Sequence, residues 1–329
     1  MANAPASPFG WDFQFNSAIV LFIDYIKDID FMRVEGEKED VELHFTDGRI
    51  IFAQCKSNFT DEFKKYSSKY LIDAFRTLSE ANNNPDCYKL LYVSNNPSPI
   101  GKKFAKEFPD LNCRIRFVDL PQDAQQYLND LINKCGYMLD TNKLTIQVIG
   151  FVKCVASRHN VIKKHLDEFL KTLNCEYHGS LDMLHGKLVQ EMYINSTSES
   201  EVTIHKKDLI CLFIRNSLKQ TGKYLSNLCL SDQNDFYKKY GLIIENKIID
   251  YSFITKVFYD YEVCCKKYSS EFNKKYDEEQ YIEDHWTEFS DQFLLQMSEK
   301  FKEALIKTIL YTLFLRSREF EELKRAANL

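Results

Sequence analysis

A carboxylate at Asp40, an amide at Gln54 and an ammonium at Lys56 follow one another along the chain as Asp-x13-Gln-x-Lys, and together they suit phosphoryl chemistry. Carboxylate and amide oxygens are hard ligands fit for Mg²⁺, which keeps several of its waters. A lysine beside a metal-bound water can hold or deprotonate the nucleophile and offset charge building on a phosphate. Glu37, at the head of Glu-x-x-Asp, can reach such a metal directly or through a water. A zinc peptidase would need His ligands, yet the seven histidines show no HExxH or Cys/His zinc spacing. A nucleotide kinase would need a glycine-rich phosphate loop, and the chain supplies none. The competing reading of the trio is a solvated hairpin face, where polar residues alternate with apolar ones.

A hairpin must hold these residues. VELHF alternates strictly, Asp47-Gly48 marks a turn, and IIFAQCK returns. On the returning strand Gln54 and Lys56 share one face and Cys55 takes the other. An even loop would set Asp40 opposite Cys55 and mix a carboxylate into the apolar face. An odd loop, of three residues with Gly48 left-handed, sets Asp40 opposite Gln54. It also gathers Val41, Leu43, Phe45, Ile51, Ala53 and Cys55 on one dry face, so hydrophobic alternation selects the odd register.

Around the hairpin, the spacing predicts an amphipathic helix over 11–29, a short extended FMRVE, a polar segment at 57–69 and a helix over 70–81. A buried strand at 88–96, a short helix at 100–108 and a strand at 113–119 complete an α/β sheet. Beyond Pro121, apart from a strand over 143–150, the segments 160–173, 181–194, 206–219, 252–275 and 286–325 read as helices. Phe289, Phe293, Leu294, Met297, Phe301, Leu305, Ile309 and Leu313 recur at helical spacing and predict one long bundle helix. Lys64, Lys65 and Lys69 follow the returning strand and can track a DNA backbone; a solvated Lys-rich loop fits them equally. Lys102, Lys103 and Lys106 read as a solvated basic face, His44 as a bystander and Cys264-Cys265 as core packing.

With only 10 Gly and 7 Pro in 329 residues, the composition argues against a β-sandwich, a glycine-rich dinucleotide fold or a disordered chain. A net charge of −5 excludes a generic polycation, so a nucleic-acid role has to rest on a site. Ten cysteines without a CxxC pair read as reduced thiols. No secretory leader opens the sequence, and the apolar run at 304–315 is short and holds Lys307. These features predict a cytoplasmic protein without a membrane partner.

Asp40-x13-Gln54-x-Lys56, on a hairpin between an N-terminal helix and a following α/β run, resembles the PD-(D/E)xK restriction-endonuclease-like nucleases, with Gln54 where an acid is more usual. Gly10, Phe13 and Gln14 in the first helix, the Glu37-x-x-Asp40 pair and QCK resemble more specifically the double-stranded DNA endonuclease domains of bacterial anti-phage systems. Those domains serve as effectors of cyclic-nucleotide (CD-NTase) defence, of NTPase sensors and of Lamassu-type SMC complexes. The resemblance runs over about residues 10–215, with KLTIQVIGFV and EVTIHKKDLI matching the segment trailing the nuclease.

The resemblance implies an N-terminal restriction-endonuclease-like α/β/α core; with the helical periodicity beyond Pro121, the expected fold is α+β, that core followed by an all-α C-terminal domain. The expected boundaries are 1–135 for the nuclease, 136–215 for a strand-helix linker and 216–329 for a helical partner-binding or oligomerisation domain. It implies Mg²⁺, with Mn²⁺ as substitute, held by Asp40, Gln54 and Glu37; Glu35 and Glu39 lie close by, and Glu37 has the family spacing. Lys56 would position the attacking water, and Gln14 would line the site. Gln54 in place of an acid lowers the expected metal affinity. Double-stranded DNA is the implied substrate, and the implied partners are other defence subunits, an SMC-like ATPase foremost, with homo-oligomerisation on activation. A SAVED-type sensor would need a second α/β domain in the C-terminal half, where its strands are missing. The reading from another class is a catalytically silent, nuclease-like DNA-binding or assembly module.

Overall fold

The structure, a computed structural model, describes residues 6–59, 68–199, 202–219, 221–226, 228–245, 247–272, 276–293 and 298–329. Two compact units divide the chain: Met1–Thr172 with His185–Lys206, and Leu173–Leu184 with Lys207–Ala327.

The first unit is built on a seven-stranded mixed sheet. After α1 (Ala6–Tyr25) come β1 (Ile29–Val34), β2 (Val41–Phe45) and β3 (Ile50–Lys56), an antiparallel meander. Then follow α2 (Ser68–Ala81), β4 (Cys87–Ser94), a 3-10 turn at Lys102–Glu107, β5 (Asn112–Arg116), α3 (Gln122–Cys135), β6 (Leu144–Ile149), α4 (Asn160–Lys171), α5 (Leu181–Ser196) and β7 (Ile204–His205). The strand order is β5-β6-β4-β3-β2-β1-β7, with β3, β4 and β6 parallel. β6 lies inside the sheet between β4 and β5, so the sheet runs past residue 135, where the sequence reading ended the nuclease domain.

Both faces of the sheet are covered. On one, Ile50, Phe52, Leu90 and Tyr92 pack with Leu71, Ala74, Phe75 and Leu78 of α2 and with Ala124, Leu128 and Ile132 of α3 in one core. α1 covers the other face and packs against α4 as well. Residues 13–23 of α1 are buried without interruption, so this stretch of the helix is enclosed on every side rather than amphipathic. Its aliphatic and aromatic residues supply apolar surface all round the axis. Polar Asn16 and Ser17 are accommodated by hydrogen bonds, Asn16 Nδ2 donating to Asp12 O at 2.7 Å and Ser17 Oγ to Phe13 O at 2.8 Å.

The hairpin has the odd register. Val41 pairs Ala53, Leu43 pairs Ile51, and the three-residue loop closes with Phe45 N donating to Arg49 O at 2.9 Å. Gly48 takes φ 86°, which disfavours a Cβ. Gly48→Ala is expected to destabilise the protein by about 1 kcal/mol, read as a lower urea midpoint at unchanged slope.

The second unit is helical: α6 (Lys206–Ser217), α7 (Leu230–Glu245), α8 (Tyr251–Phe272), α9 (Glu278–His285), a 3-10 segment Trp286–Gln292, α10 (Glu299–Phe314) and α11 (Ser317–Ala327). The long helix expected over 286–325 is three pieces. Phe289 and Phe293 do bury completely, ringed against Phe253 at 5.8 and 5.6 Å, but through a 3-10 segment that places aromatic residues inward without helical continuity. Leu294 and Met297 lie outside the described residues. Lys307, inside the apolar run, is buried on α10 with its ammonium donating to Glu283 and, at 2.6 Å, to Glu303. Among the described residues no helix is long and apolar enough to cross a membrane. None of the ten cysteines forms a disulfide.

Candidate active site

Asp40 sits one residue before β2, and the hairpin register carries it opposite Gln54. The pairing is read in hydrogen bonds: Asp40 Oδ2 accepts from Gln54 Nε2 and, at 2.7 Å, from the backbone N–H of Cys55. Its carbonyl accepts from Gln14 Nε2 of α1 at 2.9 Å and from Glu35 N at 2.8 Å. Gln14 is thus buried, with its amide nitrogen donating to the backbone of Asp40, which places it to position that residue.

The polar side of the hairpin end is covered by α2. Gln54, 3% exposed, presents Oε1 to the Thr77 hydroxyl, which donates to it and lies 3.5 Å from Glu39 Oε2. Thr77 also lies 3.1 Å from Ala74 O in its own helix. Lys56 ends β3 at half-buried exposure, close enough for its charge to favour the ionised forms of both Asp40 and Glu39. Beyond it the chain is fixed by buried Asn95, which accepts from Asn58 N at 2.8 Å and donates to Asn58 O at 3.0 Å and Phe151 O at 2.8 Å.

Of the three neighbouring glutamates, Glu39 faces this cluster. It is 4% exposed, whereas the side chain of Glu37 is 67% exposed and lies 4.0 Å from Arg33. The expectation for Glu37 is corrected by the connection between β1 and β2. Glu35 N donates to Asp40 O and Gly36 N to Glu39 O at 3.0 Å, leaving Glu37 and Lys38 at the tip of a tight turn. Residue spacing along an extended strand does not survive such a turn. Gly36 lies close against Glu42, whose side chain would have to shift for a Cβ at position 36, 2.4 Å from its Cδ. Glu42 is itself buried beside the turn, accepting from Lys38 N at 2.9 Å and facing His44 Nε2 at 3.3 Å. His44 is also stacked on Phe31 at 4.3 Å.

The electrostatics are those of two acids short of counter-charge. Burial lifts Asp40 to about 6 against the pull of Lys56 and the Cys55 N–H, and the charge of Glu35 lifts it further. Burial lifts Glu39 to about 8, and the charge of Asp40 adds to the shift; Thr77 and Lys56 oppose it. Asp40 ionises first, so the second charge falls hardest on Glu39. Among the described residues Glu39 Oε1 is buried without a hydrogen-bond partner, and both donors to the Asp40 carboxylate use Oδ2. A divalent cation fits this donor set: two carboxylates with oxygens to spare and an amide oxygen at Gln54, all hard ligands. Among the described residues no three His, Cys, Asp or Glu gather as a metal site; in this donor set the third oxygen would be an amide's.

The remaining sequence candidates are placed apart or lie outside the described residues. Lys69 is exposed on the first turn of α2, and Lys64 and Lys65 lie outside the described residues. Lys103 pairs with Asp123 at 2.9 Å and Lys106 with Glu107 at 3.7 Å. Thr77 escaped the sequence reading, although it is a polar residue beside the buried stripe Leu71, Ala74, Leu78 and Ala81.

No protein-family model matches the sequence, and no curated protein does. Among solved structures, the chain is similar to the Cap4 SAVED/CARF-domain containing receptor of Moraxella osloensis, with a TM-score of 0.40 and 15% sequence identity. The similarity covers 64% of this chain and 47% of the receptor, so the chain spans about half that protein's length.

Proposed function

We propose that the chain is a divalent-metal-dependent DNA endonuclease, the effector subunit of a bacterial anti-phage defence system. The observation that carries this reading is the convergence of Asp40, Glu39 and Gln54 at the end of the hairpin, with Lys56 beside them. Asp40, Glu39 and Gln54 would hold Mg²⁺ or Mn²⁺, and the ion supplies a bound water of lowered pKa and an electrophile for the phosphate oxygen. The chain's own residues do the rest. Cys55 N–H fixes one oxygen of Asp40, Thr77 fixes the amide of Gln54, and Gln14 anchors the backbone that carries Asp40. Lys56 holds the attacking water in line and offsets the negative charge that grows on the phosphate.

The role in defence and the pairing with an SMC-like ATPase of the Lamassu type rest on the sequence resemblance. In this reading the fold is a restriction-endonuclease-like core with a helical domain appended. The helical unit docks on the partner or holds protomers apart until activation. A silent, nuclease-like module is the second reading, favoured by the missing acid at position 54. Supercoiled plasmid incubated with the protein, alone and with the products of adjacent genes, tests the proposal in Mg²⁺ and in EDTA. Nicking or linearisation in Mg²⁺ alone is expected. Intact plasmid in every combination, together with no calorimetric Mg²⁺ or Mn²⁺ binding, would establish the silent module instead.

A further inference from the structure

Close to the hairpin end, the first unit holds a cavity of about 410 Å³ lined by Trp11 and Phe15 of α1, Glu35, Tyr193 and Ser196 of α5, and Thr197. That volume is typical of small-molecule clefts, roughly 300–1,000 Å³. Trp11 is 56% and Tyr193 54% exposed, so two large rings stand open to solvent. Phe15, buried, meets Tyr193 edge-on at 6.2 Å. A second cavity of about 400 Å³ shares Trp11, Phe15 and Tyr193 and continues past Val189 and Gln190, so the rings line a groove. Flat, rigid rings of this kind are stacking platforms for nucleic-acid bases.

The polar rim narrows the choice of ligand. Ser196 Oγ donates to Tyr193 O at 2.8 Å and Thr197 Oγ1 to the same carbonyl at 3.0 Å. Bonded back to that carbonyl, these hydroxyls turn acceptor lone pairs to the cavity, beside the carboxylate of Glu35. Glu35 is the charged residue of this lining; its carboxylate recognises a hydrogen-bond donor, and a base with an exocyclic amino group presents one. Glu35 is held in a conformation uncommon for a side-chain-bearing residue, φ 54°, by its hydrogen bond to Asp40 O. Backbone outliers of this kind cluster at ligand clamps. The cavity is also tied to the candidate active site: Gln14, which anchors Asp40, lies between Trp11 and Phe15 on α1.

We propose that this cavity takes an unstacked nucleobase bearing an exocyclic amino group, stacked on Trp11 and Tyr193 and donating to Glu35. The inference rests on the nuclease reading for the base's origin in a substrate strand; a free nucleotide presents the same chemistry.

Calorimetric titration of the full chain in metal-free buffer, with dCMP, dTMP, oligo-dC and oligo-dT, tests it. Cytosine ligands are expected to bind at least about tenfold tighter than thymine ligands. Trp11→Ala and Tyr193→Ala, both at exposed rings, should weaken cytosine binding by about tenfold or more, with circular dichroism unchanged. Glu35→Gly suits the left-handed backbone and should bring the cytosine preference to within about twofold. Binding by oligo-dC without dCMP identifies a strand as the source, and equal binding by dCMP a free nucleotide. Equal affinity for cytosine and thymine, or no loss in the ring variants, overturns the proposal. Plasmid cleavage by the wild-type protein, alone and with the products of adjacent genes, separates the two claims. Cleavage without base binding removes this inference alone, and base binding without cleavage removes the nuclease reading alone.

Discussion

Lys56→Ala and Asp40→Asn are each expected to lower Mg²⁺-dependent plasmid nicking by about a thousandfold or more while leaving the circular dichroism spectrum unchanged. Lys56 stands at the end of β3, half-buried, where its charge acts on both Asp40 and Glu39. Its removal takes away the cation beside the phosphate without opening the core. Asparagine at position 40 keeps an acceptor for the Cys55 N–H, which donates at 2.7 Å in the wild-type protein, but surrenders the charge that holds the metal. Lys56→Arg restores the charge in a planar, bulkier form and should recover only part of the rate. The two losses should also fail to add, because metal binding and water positioning serve one step. Nicking at wild-type rates in both variants would displace the active site from the hairpin.

Glu39→Gln is expected to stabilise the metal-free protein at pH 8 by about 2 kcal/mol and to have little effect at pH 4. The sign follows from the shifts. Glu39 rises from an ordinary glutamate value to about 8 and Asp40 to about 6 on folding. Between the unfolded and folded values the native state binds more protons than the unfolded chain, so stability falls as the pH climbs from about 4 to 8. Glutamine keeps the shape of the side chain and removes the buried charge. A divalent cation removes the same penalty by neutralising both carboxylates, so the rise in Tm with Mg²⁺ should be larger at pH 8 than at pH 5 in the wild-type protein. In Glu39→Gln that rise should shrink at both. Thermal melts at three pH values, with and without Mg²⁺, check this. A variant that is less stable than wild type at pH 8 would mean that Glu39 is held as a structural anion.

Much of the hairpin was legible because its two constraints are local. Strict alternation in VELHF and IIFAQCK and a turn glycine fix the register, and the register alone sets Asp40 against Gln54. Glu39 was not legible among its neighbours, because which acid turns inward depends on the tight turn at Glu35–Glu39 and on the close approach of Gly36 to Glu42. Gln14 was found on the right helix, but in a positioning role, since a hydrogen bond to a backbone carbonyl across 26 residues leaves no trace in spacing. Thr77 escaped because it belongs to α2, whose contact with β3 is tertiary. The helices α3, α7 and α9 were missed. In α3 the buried residues are only Ala124, Leu128 and Ile132, a stripe too sparse to stand out. The opposite error came at 286–325, where aromatic periodicity persists through a 3-10 segment and the span divides into three elements.

The account turns on whether the hairpin end gathers around a single cation, and anomalous diffraction from crystals soaked in Mn²⁺ would answer that most directly. The expected result is one strong peak about 2.2 Å from carboxylate oxygens of Asp40 and Glu39, near the Gln54 amide and within one water of Lys56. Crystals of Asp40→Asn should lose it. No peak at the hairpin, or one that survives in the variant, would contradict the proposal that these residues form a metal-dependent active site.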